Sequence, residues 1–537
     1  MSKAPPIQAG KRPRDLRLDF FRGMAMFIIL LAHTPGNTWT LWIPARFGFS
    51  DATEIFVFCS GMASGLAFGA VFVKKSWFLG AARILFRCWQ VYWAHIGVVL
   101  ATALLMVSLD QTGLGEEGKV YADWFPVNGI FNRTHETLIG LFTLTYIPGL
   151  FDILPMYLVI LAMIPAIMLC HRLGGRMAVF AFMIVVWTMA NLAGYARIVA
   201  REDEIAAWQQ TIIALGEPFL WMNFRAMPWS DNATWFFNPF GWQLVFFTGF
   251  CFAMGWIPAP PVNRLLVYAA LAVVLITVPF AWNKIFAHLT GYLPSAWGGV
   301  FFWEAREFIE PVRWKTWVGG WRFLHFISLA YLAWAAVGPG GIRLSEGWRV
   351  RARSSDLRAA ICGICGGILV LTAPYAYVDE IKALAPSLDR WFLRNWILVP
   401  GRWIGLLQLL HLAALIPFIW HAIGDRARHW LVRDAFLAVV PVIRKVGTQS
   451  LAVFMVSIVL SRFNGWWLDV IGRDVWTRAL VNLTGFAVLI LTAYLVSWFK
   501  KQPWRDSKRP ETATAGAPPQ QPGLLGGVTA ETTTLRA

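Results

Sequence analysis

RGMAMFIILLAHTPGN, residues 22–37, decides the fold. Ten uncharged residues separate Arg22 from His33, and Pro35 and Gly36 then end the helix. At 100° per residue, the eleven steps from Arg22 to His33 finish about 20° past three turns. Both side chains therefore share one face, about 16.5 Å apart along the axis. Ionisable groups in a membrane span are costly and face a cavity or a partner. The run reads as a first span with Arg22 at the inner mouth and His33 near the outer end.

The rest of the chain agrees. Of 537 residues, 57% are hydrophobic and 14% charged, and the mean hydropathy is +0.55, far from a soluble domain. Many stretches are long enough to cross ~30 Å of hydrocarbon, where backbone polar groups must be satisfied internally. The expected fold is an all-α polytopic membrane protein of about twelve spans, with ten or eleven as alternatives. These lie near 20–34, 52–73, 86–108, 152–170, 177–195, 239–257, 264–282, 321–338, 359–378, 403–421, 449–468 and 478–499. A shorter stretch, 137–150, reads as interfacial or re-entrant.

The net charge of +17 sits in short clusters between apolar runs, which is the positive-inside pattern and argues against nucleic acid. With twelve spans both termini are cytoplasmic. The basic segments include residues 11–17, 74–75, 171–176, 343–358, 426–433, 444–445 and 500–509. Three regions follow: a basic N-terminus (1–18), a transmembrane domain (19–500) and a disordered tail (501–537). The N-terminus mimics a signal peptide, but no small-residue cleavage site follows, so a retained first helix is expected. The six cysteines fall in or beside apolar runs, and Cys362 and Cys365 lack a second pair or a His cluster, so neither a disulfide nor a metal site is expected. Gly61, Gly65 and Gly69 strip one face of span 2 and admit a close neighbour, with span 1 the expected one.

FGFSDATEIFVFCSG, residues 47–61, returns to the membrane beside His33. Ser50 is expected to cap the helix, with Asp51 serving its first turn. Asp51 and Glu54, at i and i+3, share a face. Glu54, nearly a turn deeper, is the expected carboxylate partner of the imidazole. A histidine backed by a carboxylate is the arrangement of a general base, and its ordinary pKa suits proton transfer near neutrality.

At this point the sequence resembles a known family. Arg, ten residues, then His in the first span is similar to the signature of the membrane acyltransferase-3 superfamily. The stretch from Arg14 to Gly61 resembles the OpgC-type glucan succinyltransferases, as do FDILPMYLVIL (151–161), FNPFGWQLVFFTGF (237–250), WRFLHFISLAYL (321–332) and GTQSLAVFMVSIVLS (447–461). The resemblance runs from about residue 14 to 500. It implies an inner-membrane enzyme moving an acyl group, succinyl for this type, from cytoplasmic acyl-CoA to hydroxyls of periplasmic glucans. On that likeness His33 matches the essential histidine, Arg22 its paired arginine, and Asp51 and Glu54 the acidic pair of span 2. The donor's phosphates cannot enter lipid, so Arg22, Arg17, Arg83 and Arg87 are candidates to hold them.

Asp152, Asn238, Trp242, Gln243 and His325 are further candidates to line a substrate cavity, although capping and interhelical hydrogen bonds account for the same positions. The 31 tryptophans suit interfacial belts, and those in 297–317 suit either a sugar platform or a membrane-surface helix. Two other functions stay open. One is acyl transfer to another surface glycan, such as lipopolysaccharide or peptidoglycan. The other is a secondary transporter, against which the polar residues cluster in spans 1 and 2 with no matching second half.

Overall fold

The computed structural model describes residues 15–123, 127–200, 205–281, 299–348, 354–376 and 401–504. The basic run before residue 15, the short stretches 124–126 and 201–204, residues 282–298 and 377–400, residues 349–353 of a basic segment and the tail from 505 lie outside them. The longer helices are α1 (Leu16–His33), α2 (Ala52–Lys74), α3 (Trp77–Asp110), α4 (Thr134–Thr143), α5 (Ile153–Val199), α6 (Pro239–Met254), α7 (Arg264–Ala281), α8 (Gly320–Val337), α9 (Ser355–Ala376), α10 (Gly401–Ala422), α11 (Phe436–Thr448), α12 (Ser450–Ile471) and α13 (Val475–Lys501). The strands among the described residues form one small antiparallel hairpin, Arg225–Met227 with Ser230–Thr234.

Within the described residues, each of the twelve expected apolar stretches falls mainly on a helix. Among the described residues, seven helices are long and apolar enough to cross a membrane, or eight if a pair bent by 60° (Gly320–Val337 with Pro339–Glu346) counts as one span. This is a multi-pass membrane protein. Several physical features separate that count from twelve. Helix α1 carries Arg17, Asp19 and Arg22, and α6 has only 16 residues. Helix α5 counts once although it has 47 residues, about 70 Å at 1.5 Å each, more than twice the hydrocarbon thickness. Its backbone leaves helical geometry at Gly174 and Gly175, the latter at φ 63°, between the two stretches expected to be separate spans. The stretch 137–150 is a short helix followed by irregular chain, with Leu144 in the left-handed region.

The core lies where α1, α2, α3, α5, α6 and α12 meet, around Met26, Leu30, Phe56, Val99, Phe246 and Phe454. Every residue of α6 from Gly241 to Cys251 is buried, as an all-round apolar helix requires. Helix α3 instead turns Leu85, Trp89, Trp93 and Leu104 outward, an apolar face suited to lipid.

Two seams lock the bundle. A Cβ on Gly61 would overlap the Phe246 carbonyl, on Gly65 the Ala253 methyl, and on Gly69 the Met254 sulfur. The glycine stripe of α2 therefore packs against α6, not against span 1 as expected, because spacing fixes the bare face but not the neighbour. At the second seam, Gly23 of α1 lies under the Ile443 carbonyl, and Gly447 of α11 lies under the Asp19 carbonyl.

Candidate active site

Helix α1 separates two polar regions. At its first turns, Arg22 Nη2 donates to the Cys59 carbonyl at 3.2 Å. Beside it is a cavity of about 370 Å³, lined by Arg22, by Ser60 and Ser64 of α2, by Arg83 and Arg87 of α3, and by Tyr157. Arg83 and Arg87 stand at i and i+4, one above the other on one helix face. The cavity follows α2 from Phe68 to Phe56, twelve residues or about 18 Å. Three of the four arginines expected at the donor's phosphates thus line one cavity. Arg17 is not brought there: its guanidinium pairs with Asp15, the N-cap of α1, at 2.8 Å.

At the other end of α1 the guanidinium of Arg462, from α12, donates to the His33 carbonyl. His33 is half-buried; its Nδ1 is enclosed without a hydrogen-bond partner, and the residue keeps accessible surface. The charged groups within electrostatic reach of its ring are Arg462, Lys315 and Asp51.

Asp51 is the N-cap of α2, accepting from Thr53 N at 2.7 Å, while Glu54 Oε2 accepts from Asp51 N at 2.8 Å, a complete capping box. Ser50 is therefore not the cap. Its hydroxyl lies 2.7 Å from His325 Nδ1, which also accepts from Ser50 N at 3.2 Å. The second oxygen of Asp51 meets Lys315 Nζ at 2.5 Å and Arg322 Nη2 at 3.6 Å. Glu54 is fully buried, and its Oε1 takes Arg322 Nε at 2.5 Å. The structure thus commits Glu54 to Arg322 and to the start of α2 rather than to the imidazole. Asp51 is the carboxylate whose charge acts on the His33 ring.

The secondary candidates sort by burial. His325 is 1% exposed, with Nε2 enclosed and packed where a Cβ on Gly48 would overlap it, so it holds the chain before α2 instead of lining an open cavity. Asn238 caps α6 through Phe240 N and Gly241 N and donates to the Met222 carbonyl. Buried Trp242 donates to the Lys315 carbonyl, and buried Gln243 donates to the Met183 carbonyl. All three are buried, and the hydrogen bonds they make hold backbone in place. Trp242 and Asn238 N, which donates to Thr316 O, fix the backbone that carries Lys315. Asp152 is buried as well, with one oxygen on Phe236 N and the other enclosed without a partner. In the aromatic loop, Trp317 is buried and donates to Asn223, and Trp314 leans on it, so neither forms an open sugar platform. Trp297 and the Trp303 side chain lie outside the described residues.

A family model described as OpgC protein matches residues 14–350 and 341–501, which together take in both ends of α1 and every residue named above. The chain belongs to the OpgC family. No curated protein and no solved structure matches it significantly. OpgC membership implies a transferase role in the modification of glucans by acyl transfer.

Sequence reasoning missed Lys315, Arg322 and Arg462. The latter two stand inside apolar runs, and the cost argument applied to His33 identifies them equally. Lys315 sits in a connecting segment where a lysine carries no such signal.

Proposed function

We propose that this OpgC-family protein moves an acyl group, succinyl as the resemblance implies, from cytoplasmic acyl-CoA across the inner membrane to hydroxyls of periplasmic glucans. The observation that carries the reading is a single helix with an arginine-lined cavity at one end and a half-accessible histidine at the other. Arg22, Arg83 and Arg87 suit the anionic phosphates of the donor. The pantetheine arm would follow α2 towards Phe56, five residues short of Asp51. His33 takes the proton of a sugar hydroxyl as its oxygen attacks the thioester carbonyl carbon. The tetrahedral intermediate then collapses, the C–S bond breaks, and the departing CoA thiolate receives the proton from His33. The positive charge of Arg462, held at the His33 carbonyl, favours the negative charge that develops on the thioester oxygen.

The test is acyl transfer by purified protein from labelled succinyl-CoA to glucan. His33→Ala is expected to lose about 10²–10⁴-fold in rate, the size of a general-base contribution, with its folding unchanged. Undiminished transfer by that variant removes His33 from the mechanism. Movement of glucan or acyl donor without modification marks a transporter. Mass spectrometry of periplasmic glucans from a deletion strain separates this acceptor from lipopolysaccharide or peptidoglycan.

A further inference from the structure

We propose that Lys315 recognises the distal carboxylate of a dicarboxylic acyl group and so selects succinyl over uncharged acyl donors. This rests on the acyl-transfer reading above. Three cations stand around the His33 end, and they differ in what an incoming group can reach. The Arg322 side chain is 9% exposed and bonded to Glu54, and Arg462 is 6% exposed and donates to the His33 carbonyl. The Lys315 side chain is 27% exposed.

An ammonium has three donors, and Asp51 takes one of them at 2.5 Å. The rings of Phe237 and Phe236 lie 5.4 and 5.8 Å from Nζ, a cation-favouring wall that accepts no conventional hydrogen bond. Two donors are therefore left for an anion arriving beside His33. The backbone that carries Lys315 is fixed by Trp242 and Asn238 of α6, so the ammonium is placed by packing and not by a mobile loop. The charges of Arg462, Lys315 and Asp51 all act on the His33 ring. A turn deeper, Arg322 pairs with Glu54 and also reaches Asp51 at 3.6 Å. Asp152, which also feels Lys315, holds Phe236 N with one oxygen. Of the three cations Lys315 has the most exposed side chain, so a distal carboxylate is received there and a methyl finds no partner.

Succinyl-CoA and butyryl-CoA differ by carboxylate against methyl, so they form the test pair. Transfer to glucan is measured with each donor for the unsubstituted protein, Lys315→Met, Lys315→Gln and Lys315→Arg. The expected result is a succinyl-to-butyryl ratio of kcat/KM lowered by about tenfold or more in both neutral variants, the size of one charge-assisted hydrogen bond, and largely kept in Lys315→Arg. A ratio unchanged in whichever neutral variant keeps its Tm in detergent overturns the proposal while leaving acyl transfer intact. A protein that transfers neither group overturns the functional reading, and this inference with it.

Discussion

Glu54 is the most enclosed charged side chain of the site, and its partner arrives 268 residues later in the chain. Breaking a buried ion pair from one side leaves a charge that water cannot reach, at about 3–5 kcal/mol. Glu54→Gln is therefore expected to lower thermal stability in detergent steeply, whereas Glu54→Gln with Arg322→Met recovers much of it. Equal losses from the single and the double variant would contradict the pairing. At the donor end the cost is paid in binding. Arg83→Gln or Arg87→Gln is expected to raise the KM for acyl-CoA by about tenfold each, one charge-assisted contact, with a smaller change in kcat. A titration of initial rate against donor concentration reads this directly. What the sequence disclosed at this scale follows from local cost. Arg22 and His33 stand out because one helix displays both, and Asp51 and Glu54 because a helix start does. Which carboxylate served which cation was hidden, since Lys315, Arg322 and Arg462 reach the site from 264 to 429 residues away.

Among the helices, the seam between α2 and α6 has the least tolerance. A methyl on Gly61 meets a backbone carbonyl, which has no rotamer to give way. Gly61→Ala is expected to destabilise by about 1–3 kcal/mol through overpacking. Gly97→Ala on α3, where a Cβ meets nothing within 4 Å, is its matched control and is expected to be neutral or slightly stabilising. Denaturation of the two variants in the same detergent compares them. Helix positions were legible because hydropathy is local. The partner of the glycine stripe was not, because a bare face at every fourth residue fits any smooth neighbour. The deep burial of α6 was hidden for a related reason: an all-round apolar helix reads the same whether lipid or protein surrounds it.

For the whole molecule, the arrangement requires that the two ends of α1 open to opposite compartments. Helix α3 has 34 residues, about 51 Å, so Lys75 just before it and Glu117 after it must lie on opposite sides of the bilayer. A cysteine at each position, treated with an impermeant thiol reagent, is expected to label in opposite vesicle orientations, the Lys75 site from the side that receives acyl-CoA. Labelling of both from one side would remove the transmembrane path. The six native cysteines are buried or half-buried, which keeps the background low.

The hold of Arg462 on the His33 carbonyl has a consequence for assembly. The same end of the molecule is tied again by the reciprocal amide pair of Asn37 and Asn482, at 2.8 and 3.1 Å. Helix α1 is thus clasped by α12, and the segment just after it by α13. A chain lacking α12 would keep Arg22, Arg83 and Arg87, yet lose Ser450 and Leu451 from the wall of their cavity as well as the clasp that finishes the histidine end. The proposed transfer therefore needs α1 and α12 in one folded unit, however far apart in the chain they stand.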